Sequence, residues 1–206
     1  LRRPNYVIIH HTAQHNVAQT IRTFQVPHSK VSAHYVIGKD GRVIQMLNDY
    51  DRAWHAGKSK WGNLTDINSA SIGIELDNNG REMFPEEQIQ SLLILLDTLK
   101  AKYYIPQLNF IGHADIAPTR KDDPNITFPW KTLAQRGFGV WYNEDYMMNP
   151  PANFNPMDAL KIMGYDMSNP TAAIQAFKRK FIVKEVNSIL TEYDIKVLYD
   201  LYRKYY

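Results

Sequence analysis

Two apolar runs in this chain each end in histidine, and an acidic loop follows the second. Residues 6–9 are apolar and largely β-branched and lead into His10 and His11, while Leu108, Phe110 and Ile111 lead into His113. Residues 114–124 then supply Asp115, Asp122 and Asp123 together with Arg120 and Lys121. A hydrolytic zinc takes three protein ligands from such groups and keeps a fourth position open. Side chains alternate along a strand, so His10 and His11 point to opposite faces and one of them can share a site with His113. Composition leaves the three aspartates equivalent.

The elements that must position these groups are legible from periodicity. Ser71-Ile72-Gly73-Ile74-Glu75-Leu76 alternates, placing Ile72, Ile74 and Leu76 toward a core and Gly73 and Glu75 on the opposite face, with the glycine leaving room beside the carboxylate. Residues 32–37 and 42–47 flank Gly38-Lys39-Asp40-Gly41, which predicts a β-hairpin. Asn16 can cap a short helix through Val17, Ile21 and Phe24. Pro85 suits the first turn of a longer helix whose stripe is Ile89, Leu92, Leu93, Leu96 and Leu99. Pro129, Trp130, Leu133 and Ala134 predict a further short helix closed by Gly137. Residues 51–62, with Trp54, His55, Gly57 and Trp61, read as a long loop presenting aromatics.

Residues 142–156 are rich in Asn and Pro and predict a linker. Beyond it, Asn169-Pro170 starts a helix with Ile174, Phe177 and Phe181 on one face, and Thr191 caps a last helix with a stripe of Ile195, Leu198 and Tyr202. So short a tail builds little core alone and is expected to lean on the larger unit.

The 206 residues carry a net charge of only +3, too small a surplus to argue for nucleic acid. There is no cysteine, which excludes disulfides and thiolate metal sites and leaves histidine and carboxylate as donors. Thirteen tyrosines offer platforms for sugars and peptides. No apolar run approaches the ~20 residues of a membrane span. The chain starts at Leu1 without methionine, and the expectation is of an export signal already removed.

His10-His11-Thr12-Ala13, Ser32-Ala33-His34-Tyr35, Trp54-His55-Ala56-Gly57, Ser71-Ile72-Gly73-Ile74-Glu75 and the stretch from Gly112 to Pro124 occur together in order. The combination resembles the zinc-dependent N-acetylmuramoyl-L-alanine amidases of the type 2 amidase family over residues 5–137. The resemblance implies an α/β catalytic domain in residues 1–141, a central mixed β-sheet flanked by helices, followed by a small all-α module in residues 157–206 that is similar to peptidoglycan-binding modules.

It also implies one zinc ion held by His10, His113 and Asp123, with Glu75 as the general base and Lys121 stabilising the oxyanion. Some family members place a tyrosine where this chain has Ala33, so that role falls to Glu75, as in the bacterial branch. His34, Trp54, His55 and Arg120 are the implied substrate contacts. The implied substrate is peptidoglycan or a muropeptide, cut between N-acetylmuramic acid and L-alanine by a monomer in the periplasm or outer envelope, with cytoplasmic recycling as the other setting. His15 and His28 read as surface residues, and His11 as packing behind the site. Two rivals are a non-catalytic peptidoglycan-binding protein on the same fold and a zinc peptidase cutting within the stem. The first generally lacks a metal ligand, whereas the full set is present here.

Overall fold

In the computed structural model, which describes residues 3–206, the apolar runs become the middle of a five-stranded sheet. The expectation about processing at Leu1 lies outside the described residues. Strand β1 (Tyr6–His11) is followed by helix α1 (Val17–Gln25), whose Asn16 side chain accepts from the Gln19 N–H as an N-cap. The hairpin forms as β2 (Tyr35–Ile37) and β3 (Val43–Gln45), shorter than predicted. Its turn is closed by the Gly38 N–H on the Arg42 carbonyl and by Gly41 at φ 77°, a conformation that glycine takes without strain.

Helix α2 (Ile67–Ala70) leads directly into β4 (Ser71–Leu76), and α3 (Glu86–Tyr103) follows with Pro85 as its N-cap rather than inside its first turn. All five predicted stripe residues of α3 are buried against the sheet, each contributing roughly 1.5–3 kcal/mol by removal from water. Strand β5 is only Phe110–Gly112, because Leu108 belongs to a preceding 3₁₀ turn. His113 does not open a loop: it begins the one-turn helix α4 (His113–Ile116). Helix α5 (Trp130–Gln135) precedes Gly137, as expected.

The sheet order is β3-β2-β4-β1-β5, with β1 parallel to both β4 and β5, β2 parallel to β4, and the hairpin strand antiparallel at the edge, so the sheet is mixed. Val7, Ile9, Ile72, Ile74 and Leu76 meet α3 and α5 on one face. Ile8 and Ile111 meet Ala56, Ile67, Ile116 and Ala117 on the other. The long loop of residues 51–62 lies over this second face, tied down where the His55 and Ala56 N–H groups donate to the buried Asn68 side chain.

Residues 143–155 carry no helix or strand. Helices α6 (Pro156–Met163), α7 (Pro170–Phe177) and α8 (Glu192–Tyr205) then enclose a second core of Leu160, Ile174, Phe177, Phe181, Val197, Leu198 and Leu201. Val140 and Trp141 pack into this core from before the irregular segment. The buried face of α8 is Asp194, Val197, Leu198, Asp200 and Leu201; of the predicted stripe Leu198 is buried, Tyr202 packs at the edge of the core and Ile195 is half-buried. Two stripes overlap at helical spacing here, and the neighbouring α6 selects the one that packs. Trp61 leaves the loop to stack edge-on against Tyr165, and Gly164 is a glycine because a Cβ there would collide with that indole. Together with the Lys60–Asp166 ion pair, 3.0 Å, this joins the helical unit to the sheet unit.

A candidate metal centre and active site

Parallel, in-register pairing of β1 and β4 sets His10 beside Glu75. Ile8 packs with the second-face cluster, and His10 lies two residues on, so it shares that face. Gly73 and Glu75 oppose the Ile72, Ile74 and Leu76 side of β4 and face the same way. Strand β5 pairs with the other edge of β1 and delivers His113 at its end. The loop after α4 returns Asp123, held where the Ala114 N–H donates to the Asp123 carbonyl at 2.8 Å. His10 Nδ1, His113 Nδ1 and Asp123 Oδ2 thereby meet in a triangle with edges of 2.9, 3.0 and 3.0 Å, all three residues buried.

The opposite nitrogens of the two rings decide what this triangle can hold. His113 Nε2 lies 3.1 Å from the Ala56 carbonyl, which can only accept, so the proton sits on Nε2. His10 Nε2 lies 3.0 Å from His55 Nδ1, His55 Nε2 lies 3.1 Å from Ser71 Oγ, and Ser71 Oγ donates to the Ile67 carbonyl at 2.7 Å. Read back from that carbonyl, the chain runs in one direction, with His10 donating to His55 and His55 to Ser71. Both Nδ1 lone pairs therefore converge on a carboxylate oxygen with no proton between them. Three buried acceptors this close call for a cation. The ~3.3 Å separation of ligand atoms about a tetrahedral zinc is near the observed edges, so the donor set fits that ion.

Electrostatics agree with this arrangement. Burial, then the neighbouring His113, lowers the His10 pKa to about 4, keeping the ring neutral as a ligand must be. Burial alone would raise Asp123, but the two imidazoles set against its oxygen, His10 and His113, bring it well below the usual carboxylate range. Glu75 behaves oppositely: burial first, then the Asp123 charge, raise it well above an ordinary glutamate, against an opposing pull from Lys121. Its Oε2 is buried with no hydrogen-bond partner. A half-buried carboxyl that lines the cleft beside a metal triangle, with one oxygen unpartnered, has the environment of a general base.

A cleft of about 310 Å³ opens over these groups, lined also by Trp54, His55, Arg120, Lys121 and Asp122. Of the residues expected to meet substrate, Trp54 is exposed on its rim with Arg52 over the indole at 4.4 Å. Arg120 lines the cleft too, though Nε and Nη2 already donate to the Lys58 and Ala56 carbonyls. His34 does not line it: fully buried, it accepts the Gly73 N–H at Nδ1 and donates to the Asp51 carbonyl at Nε2, holding the loop to β4. His11, expected behind the site, lies on its wall. His15 and His28 are on the surface.

Sequence reasoning passed over Ser71, although its place on the Ser71-Gly73-Glu75 face was readable from alternation. That face is a working surface: Ser71 orients His55, and Gly73 admits its ring, since a Cβ at Gly73 would lie 2.5 Å from the His55 ring. Gly73→Ala is expected to displace His55 and, through it, His10. Zinc affinity, measured by competition with a chelator, should fall about tenfold. Unchanged affinity would mean that His55 does not orient the ligand.

A parallel-centred α/β sheet with two strand-end histidines and an aspartate, and a poised carboxylate beside them, defines the class of metal-dependent α/β hydrolases. The family model described as N-acetylmuramoyl-L-alanine amidase matches residues 1–126. The chain belongs to this type 2 amidase family. It is 35% identical over 191 residues to the N-acetylmuramoyl-L-alanine amidase AmiD of Escherichia coli, a match covering 80% of this chain and 68% of AmiD. It is 40% identical over 106 residues to the 1,6-anhydro-N-acetylmuramyl-L-alanine amidase AmpD of Salmonella typhimurium, covering 52% of this chain and 57% of AmpD, so it spans a little over half of that relative. Among solved structures, it superposes on AmiD in complex with anhydro-N-acetylmuramic acid-L-Ala-D-gamma-Glu-L-Lys with a TM-score of 0.86 at 30% identity, covering 98% of this chain and 90% of that one.

Proposed function

We propose that this chain is an N-acetylmuramoyl-L-alanine amidase, hydrolysing the amide between the lactyl carbonyl of N-acetylmuramic acid and the L-alanine of a peptidoglycan stem or muropeptide fragment. The observation that carries the reading is the convergence of two oriented Nδ1 lone pairs and one carboxylate beside an unpartnered glutamate. AmiD, whose fold this chain shares, is described in complex with an anhydromuropeptide substrate.

His10, His113 and Asp123 would hold the zinc. When bound there, zinc supplies Lewis acidity, bringing the pKa of water toward neutrality and polarising an amide carbonyl. The Glu75 carboxylate accepts the proton of the attacking water and then returns it to the alanine nitrogen as the C–N bond breaks, so the proton is conserved through the cycle. Lys121, exposed on the cleft wall, brings its ammonium toward the carbonyl oxygen as negative charge develops. His55 and Ser71 hold His10 in the required tautomer. Trp54 offers an exposed ring at the rim for the sugar, and Arg120 keeps Nη1 for a stem carboxylate.

All of these groups come from one chain, so a monomer suffices. The three helices from residue 156 onward we assign to wall contact, and the setting we propose is the periplasm or outer envelope, with cytoplasmic recycling of fragments as the other setting. Among the described residues no helix is long and apolar enough to cross a membrane.

Mass spectrometry of a digest of anhydromuropeptide and of intact wall tests the reading. The zinc-loaded chain is expected to release intact peptide beginning at L-alanine. Cleavage within the stem would favour a zinc peptidase, and binding without release a non-catalytic module.

A further inference from the structure

We infer that the helical unit is a positioning part of the metal centre, acting through Tyr165 and Lys180 on Asp115. Asp115 lies two residues after His113 in α4 and is almost fully buried. Its Oδ2 accepts the Gly112 N–H at 2.9 Å, closing the turn that turns β5 into α4. The other two donors come from the helical unit: the Tyr165 hydroxyl at 2.8 Å on Oδ1, and the Lys180 ammonium at 2.8 Å on Oδ2. Lys180 also lies over the Trp130 ring at 4.0 Å, so the cation is packed on the sheet unit from two sides.

The backbone of the helical unit is shaped for this contact. After Phe177, α7 widens into a π turn over Lys178–Ile182, an uncommon conformation that recurs at functional positions. Within that turn both lysines are buried and both reach carboxylates, Lys178 on Asp194 inside the helical unit and Lys180 on Asp115 across the junction.

Through α4 the clamp reaches both later ligands. His113 is the first residue of that single turn, and the Ala114 N–H holds the carbonyl of Asp123. All four residues of α4 are buried, and the groups on Asp115 fix how its single turn is set against β5. This inference rests on the ligand assignment above.

The test is zinc affinity of the full chain by chelator competition, with kcat and KM beside it, for Tyr165→Phe, Lys180→Met and the control Ile174→Val, which trims the helical core and leaves every donor to Asp115 in place. The two clamp variants are expected to bind zinc about tenfold more weakly, with kcat reduced and KM within about twofold of the parent. The control should lose thermal stability and keep its zinc affinity. Should Lys180→Met fail to fold, Tyr165→Phe decides alone. Zinc affinity within about twofold of the parent in Tyr165→Phe, at a temperature where it is folded, overturns the inference. His113→Ala serves as reference: if it loses zinc while Tyr165→Phe does not, the clamp alone fails, and if it keeps zinc, the ligand assignment falls and takes the clamp with it.

Discussion

Asp123→Asn is expected to abolish detectable zinc binding and turnover while leaving the metal-free fold at least as stable as the parent. The carboxylate is the single anionic donor of the triangle, and an amide of the same shape offers the ion no charge. Without metal, the parent holds two imidazole lone pairs and a carboxylate about 3 Å apart. The amide N–H₂ can turn toward either ring and donate, relieving that convergence. Zinc should therefore raise the unfolding temperature of the parent, by about 2.7 kcal/mol of stabilisation at a hundredfold excess over Kd, and leave the variant unchanged. Calorimetry with and without zinc reads both halves. A variant that still gains stability from zinc would remove Asp123 from the ligand set.

Glu75→Gln has the next largest expected effect. Zinc affinity should persist, because Glu75 lies beside the triangle and not in it, whereas kcat should drop by about 10²–10⁴-fold with the loss of the proton acceptor. Stability should move the other way. The Glu75 carboxyl is raised in the folded chain by burial and by Asp123, so the fold binds its proton more tightly than the unfolded chain does. Between the ordinary glutamate pKa and that raised value, folding therefore loses stability as pH rises. The amide has no such penalty. In the metal-free chain the variant should melt higher than the parent near neutral pH, and the difference should vanish in acid below the ordinary glutamate range. Near-parental kcat would remove Glu75 as the base, and an equal shift at all pH values would assign the stability change to packing instead.

Alternation along β1 and β4 was enough to read the faces of the sheet from the sequence: it separates His10 from His11 and puts Glu75 with Gly73. The period of 2 is a local property of extended backbone, so it survives folding unchanged. The α3 stripe is legible for the same kind of reason, and all five of its residues are buried where the 3.6-residue period places them. Composition by itself excluded thiolate ligands and pointed to histidine and carboxylate.

The choice among Asp115, Asp122 and Asp123 was made by tertiary contacts. Asp115 has its oxygens taken by Gly112, Tyr165 and Lys180, and Asp122 is exposed. Only Asp123 is turned inward, by a backbone bond to α4. His34 and His55, adjacent to similar residues in sequence and equally plausible as substrate contacts, part company in the same way. One is bonded on both sides to backbone behind the cleft, and the other bridges His10 to Ser71. The α8 stripe shifted because two overlapping apolar rows fit one helix and the neighbouring helix selects between them. Residue types and local periods thus determined which groups were available and which faces they share. Which of them became ligand, orienting group or clamp was decided mostly by partners 16 to 103 residues away, whose positions no local period encodes.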